Sequence, residues 1–141
     1  MALLFDTTAL SELNKPRPNA GFVFWLSQNI KEDTFIGAPS IAELEFGIAL
    51  LDKSKKRTLL ERWLNALITE YGERILPFDM KAAVIWGRAI AAAQKAGQVM
   101  PGTDAQIAAI AVTYDLTLVT RNVRHFNAKA FDGLEVVNPW K

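Results

Sequence analysis

Short apolar runs that read as buried strands alternate along this chain with longer stretches of helical period, and this alternation constrains the fold more than any other feature. Leu3 to Phe5 is the first run and Thr34 to Gly37 the second. Ile75 to Phe78 is the third; Pro77 inside it predicts an edge position or a strand end, because proline has no N–H for the ladder. Thr117 to Thr120 and Leu134 to Val137 complete the set. Between them, Thr7 or Thr8 can cap a short helix through Leu13 that ends before the loop at Pro16 and Pro18. Ala20 to Ile30 carries Phe22, Val23, Leu26 and Ile30 at helical spacing, with Trp25 beside them. Ser40 opens a helix to Leu51, and Arg57 to Tyr71 repeats Leu59, Leu60, Trp63, Leu64, Leu67 and Ile68 with helical period before Gly72. Met80 to Ala96 is Ala-rich and closed by Gly97; after a loop from Gln98 to Gly102, Thr103 can cap a helix to about Tyr114. Strand and helix in alternation predict a mostly parallel sheet joined by right-handed crossovers, a three-layer α/β/α sandwich.

The 141 residues make one domain, 1–141, large enough to close a core, with no linker, repeat or low-complexity segment. With no cysteine, disulfides and thiolate metal sites are excluded, and a zinc site would have to rely on His125 plus carboxylates. The N-terminus lacks a basic region followed by a long apolar core, and no apolar run reaches membrane-spanning length. The expectation is a soluble, cytoplasmic protein with no membrane partner. A net charge of +1 does not by itself announce a nucleic-acid binder. Its distribution is more suggestive, with one basic run at Lys53, Lys55, Lys56 and Arg57 and another at Arg121, Arg124 and His125. Each reads either as a solvated helix end or as a contact for a polyanion.

Three acids, Asp6, Glu43 and Asp104, stand where a strand or loop gives way to a helix, none with a neighbouring Lys or Arg. In an open α/β sheet the carboxyl ends of the strands gather such residues around a ligand. Converging carboxylates repel, and a hard divalent cation such as Mg²⁺ or Mn²⁺ relieves them while retaining water for hydrolysis. Each acid also has a purely local explanation. Asp6 can cap a helix, with the Thr7 and Thr8 hydroxyls beside it to meet a metal-bound water or a phosphate oxygen. Glu43 follows Ser40 at capping-box spacing, and Glu45 lies about 200° around the helix from it. Asp104 would suit the helix macrodipole at the first turn in any protein.

The order of these acids resembles the PIN-domain nucleases, especially the VapC-like toxin ribonucleases and their FitB-like relatives. The resemblance covers nearly the whole chain. It rests on Leu3 to Leu13, on Ser40-Ile41-Ala42-Glu43-Leu44 with Phe46-Gly47, on Thr103 to Ala109, and on Leu118-Val119-Thr120-Arg121-Asn122-Val123-Arg124-His125-Phe126, with Val137-Asn138-Pro139-Trp140 closing in the FitB-like manner. It implies that Asp6, Glu43 and Asp104 bind Mg²⁺ or Mn²⁺ and help activate a water for hydrolysis of an RNA phosphodiester. Where many relatives have a fourth acid this chain has Asn122, a neutral oxygen ligand that can coordinate but cannot act as a base. That departure implies one firmly held ion, with a second recruited by the substrate phosphate. Thr7, Thr120 and Asn122 would support the metal or contact phosphate, and Arg121 or Arg124 would touch the RNA backbone.

The resemblance further implies the toxin of a type II toxin–antitoxin module, a VapB-like antitoxin that covers the site, and a homodimer. Phe22, Phe24, Trp25, Phe46 and Trp63 are possible anchors for a partner, although aromatics at helical spacing are expected in the core. The main rival is a catalytically weak PIN-fold module acting through its antitoxin in DNA-binding regulation. A phosphotransfer domain is disfavoured: a haloacid-dehalogenase-type site would want Asp at position 8, where Thr8 stands, and a receiver domain would want its Asp after a later strand.

Overall fold

The computed structural model describes residues 2–29, 31–100, 102–126 and 130–140. Five strands, β1 (Leu3–Phe5), β2 (Thr34–Gly37), β3 (Ile75–Leu76), β4 (Thr117–Val119) and β5 (Glu135–Val137), form one sheet in the order β3-β2-β1-β4-β5. Every neighbouring pair is parallel. Phe5 pairs with both Ile36 and Val119, so β1, β2 and β4 finish almost level and the residues that follow them emerge along one edge. β3 is an edge strand and stops at Leu76, before Pro77.

Six helices cover the sheet: α1 (Thr7–Leu13), α2 (Ala20–Gln28), α3 (Ala38–Ala49), α4 (Lys55–Tyr71), α5 (Met80–Lys95) and α6 (Gly102–Thr113). Side chains of a strand alternate between faces, and the two cores follow that alternation. Leu4 and Leu118 join Ala82 and Ala89 of α5 and Ile107 and Ile110 of α6. Leu3, Phe5, Ile36 and Val119 face the other way, against Leu10 of α1, Phe22 of α2 and Leu64 and Leu67 of α4. Each large apolar side chain buried this way contributes about 1.5–3 kcal/mol. Small residues let α5 and α6 pack closely, with Ala89 and Ala93 on one and Ala105, Ala108 and Ala109 on the other buried. No helix among the described residues is long and apolar enough to cross a membrane.

The helix starts differ from the sequence expectation in instructive ways. Of the caps the sequence offers for α1, Asp6 is the one used, accepting from Ala9 N, and not Thr7 or Thr8. α3 begins two residues before Ser40 because Pro39 sits in its first turn, where a missing N–H costs nothing. α4 begins at Lys55, two residues before Arg57, with Ser54 as its cap. α6 already begins at Gly102, which puts Thr103 inside the helix instead of at its cap. Gly72 and Gly97 end α4 and α5 with φ of +51° and +73°, as expected of the glycines after those helices. Ile30 and Pro101, assigned from sequence to a helix and a loop, lie outside the described residues. Of the aromatic residues expected in the core, Phe22 is fully buried and Trp25 and Trp63 are half-buried, but Phe24 and Phe46 are 66% and 67% exposed and face outward.

Candidate metal centre

Asp6 leaves β1 at the carboxyl edge of the sheet and is only 1% exposed. Its carboxylate is held on both oxygens: Oδ1 accepts from Thr8 Oγ1 at 2.6 Å and from Ala9 N at 2.9 Å, and Oδ2 accepts from Thr120 Oγ1 at 2.5 Å. The two threonines pass the connection on. Thr8 Oγ1 accepts from Arg121 N and Thr120 Oγ1 from Asn122 N, so the residues after β4 are tied back to Asp6. Burial raises the Asp6 pKa above its ordinary value of 3.8, against the lowering effect of the Thr120, Thr8 and Ala9 hydrogen bonds.

Glu43 projects from α3 without the capping-box bond that its spacing from Ser40 suggested. Ser40 is buried inside the helix, its Oγ has no partner, and α3 has no side-chain cap. No hydrogen bond or ion pair engages Glu43 among the described residues. Asp104, in the first turn of α6, is partly buried, and its Oδ2 lies 2.9 Å from His125 Nδ1. Burial also raises the Asp104 pKa; His125 opposes the rise, while the charges of Asp6 and Glu43 add to it. Asp104 therefore senses the charges of the other two acids.

Asp6, Thr7, Thr8, Glu43, Asp104, Arg121, Asn122 and His125 line one cleft of about 640 Å³, together with Ser11, Glu12, Lys15, Gly102 and Thr103. Thr120 is buried beneath Asp6 and is not part of the lining, and Arg124 is exposed outside it. Thr7 Oγ1 is buried without a partner. Among the described residues no three Asp, Glu or His side chains stand close enough to hold an ion as they are. The donor set is nevertheless that of a hard cation: three carboxylates, an Asn amide and no thiolate. Two of the carboxylates are raised by burial and no Lys or Arg pairs with any of the three, among the described residues, so a divalent ion fits the charge the cleft leaves unbalanced.

Three residues have roles that sequence reasoning missed. The sequence offers Thr8 as a helix cap or as a contact for phosphate or metal water, whereas it bridges Asp6 to the Arg121 backbone. His125 was read as part of a basic run; its spacing of three from Asn122 was the available signal. Glu12, buried in the cleft wall, accepts from Trp140 Nε1 at 3.0 Å, Asn19 N at 2.8 Å and Lys15 Nζ at 3.0 Å. These bonds, the indole's first among them, lower its pKa to about 2.

The PIN domain family model matches residues 3–132. Among characterised proteins, the chain is 37% identical over 139 residues to Toxin FitB of Neisseria gonorrhoeae, covering 98% of each chain. It is 32% identical over 140 residues to VapC ribonuclease Y4jK of Sinorhizobium fredii, covering 99% of this chain and 98% of the relative. Similar solved structures include FitAB bound to the IR36 DNA fragment, with a TM-score of 0.85 at 36% identity, covering 99% of this chain and 96% of that one. FitAcB from Neisseria gonorrhoeae matches with a TM-score of 0.81 at 35% identity, covering 98% of each.

Proposed function

The chain belongs to the PIN-domain family, and we propose that it is a Mg²⁺- or Mn²⁺-dependent endoribonuclease, the toxin of a toxin–antitoxin pair. The observation that carries this reading is the convergence of Asp6, Glu43 and Asp104, from three separate elements, on one cleft in which Asp104 responds to the other two charges. Asp6, Glu43 and Asp104 would hold the ion, with the Asn122 amide as a fourth oxygen donor. When bound, the ion would make water a usable nucleophile at neutral pH and offset charge on the scissile phosphate.

The chain's own groups do the rest. Thr8, Thr120 and Ala9 N fix the Asp6 carboxylate before any ligand arrives, so its orientation is set by folding. Arg121 and Lys15 line the cleft and supply positive charge for the RNA backbone; exposed Arg124 extends that charge beyond it. Thr7 lines the same wall; its hydroxyl, buried without a partner, would meet a phosphate oxygen once its side chain turns toward the cleft. Thr120 acts on substrate only through Asp6 and Asn122.

Relatives named FitB toxin and VapC ribonuclease, and solved FitAB complexes, support an antitoxin partner and a dimeric assembly for this chain too. The competing module that works only through its antitoxin on DNA draws on two observations, the neutral Asn122 and the separated carboxylates. RNA cleavage separates the two readings. The wild type should cut RNA when Mn²⁺ is supplied, and Asp6→Asn should abolish cutting with circular dichroism unchanged. Full activity in that variant overturns the nuclease reading.

A further inference from the structure

We propose that His125 is a positioning residue for Asp104, holding the carboxylate by Oδ2 so that Oδ1 is presented to a divalent cation in the cleft. The inference rests on the metal-site reading above and adds to it a group outside the acid set. The imidazole Nδ1 lies 2.9 Å from Asp104 Oδ2. An ionised carboxylate has no proton to give, so the imidazole nitrogen carries the hydrogen. No other hydrogen bond reaches the Asp104 side chain among the described residues.

The backbone that carries His125 is fixed at both ends. Thr120 is fully buried and bonded to Asp6, and Phe126 is buried in the core beside α6. Between them Val123–His125 forms a 3₁₀ turn whose N-cap is Asn122, closed by His125 N donating to Asn122 O at 2.9 Å. Residues three apart on such a turn eclipse one another. Asn122 and His125 accordingly share a face, and both line the cleft. A half-exposed imidazole on a pinned turn is placed to fix the rotamer of a partner, and Asp104, at the start of α6, is that partner. Hydrogen bonds to a ligating carboxylate settle its orientation and commonly govern metal affinity about 10- to 100-fold.

The test is a calorimetric Mn²⁺ titration of the wild type, His125→Ala, His125→Asn and Glu43→Gln, with metal-free thermal melts of each. Asn keeps an N–H donor where the imidazole has Nδ1. His125→Ala should bind Mn²⁺ about 10-fold more weakly or worse, His125→Asn should recover most of that loss, and the metal-free melts of both should match the wild type. A purely structural histidine would instead lower the melting temperature and leave affinity alone. Unchanged or tighter Mn²⁺ binding in His125→Ala overturns the proposal, as does an equal loss in His125→Asn. If Glu43→Gln abolishes binding while His125→Ala does not alter it, the metal site stands and this inference alone falls. If the wild type binds no Mn²⁺, both fall.

Discussion

Replacing Thr120 with valine keeps the shape of a fully buried side chain and removes one hydroxyl that serves two partners. That hydroxyl donates to Asp6 Oδ2 at 2.5 Å and accepts from Asn122 N at 2.9 Å. A hydrogen bond to a charged group contributes about 1.5–3 kcal/mol, and a buried polar group left unpaired costs about 1–3 kcal/mol. Asn122 is only half-buried, so water takes over part of its N–H, and Asp6 dominates the loss. The sum is about 2–4 kcal/mol. In a chain of this size that lowers the melting temperature by about 5–15 °C. The penalty falls on the charged form of Asp6. Thr120 is the strongest of the hydrogen bonds opposing burial there, so without it the folded carboxyl rises further and takes up its proton at higher pH. The gap between variant and wild type should therefore narrow as pH falls through the folded Asp6 pKa. Melts with a chelator present, from about pH 8 to about pH 5, check this, with Thr120→Ser as the control that keeps the hydroxyl. A variant melting within about 2 °C of the wild type near neutral pH would refute the reasoning, as would a gap that widens on acidification.

Other expectations follow from the same geometry. Asp6 and Asp104 both have folded pKa values above the ordinary 3.8, so their contribution favours the folded state at low pH and is lost as pH rises from 3.8 through the raised values. Metal-free melts should fall across that window, and Mn²⁺ should restore stability on its alkaline side. Glu12 runs the other way: lowered from 4.5 to about 2, it contributes stability above 4.5 that is lost as pH falls toward its folded value. Trp140→Phe removes the indole donor to Glu12 and should cost about 1–3 kcal/mol in urea unfolding, with the acid transition moved to higher pH. Phe22→Ala, at a fully buried ring that packs 4.6 Å from Trp140, should cost about 3–5 kcal/mol in the same assay.

The alternation of apolar runs and helical period carried the sheet and its layers, because both periods are local and the central strands β1 and β4 are buried on two faces. Pro77 announced the edge strand in the same local way. Boundaries were harder. The Ser40 and Glu43 pair has the spacing of a capping box, but Pro39 starts the helix earlier and leaves Glu43 free to face the cleft. Distant pairings left no trace in the pattern. Glu12 meets Trp140 across 128 residues and Thr8 meets Arg121 across 113, and nothing in either neighbourhood predicts the partner. Helical spacing also placed Phe24 and Phe46 inward, when both face solvent. Period reports that a helix has an apolar side, and neighbouring elements decide how much of that side is covered.

The most direct measurement is a crystal of the protein soaked in Mn²⁺ with anomalous diffraction recorded at the manganese edge. The account expects a peak bonded to carboxylate oxygens of Asp6, Glu43 and Asp104 together, with Asp104 still paired to His125 through Oδ2. A cleft without a peak at saturating Mn²⁺, or a peak that leaves Asp6 uncoordinated, would contradict it.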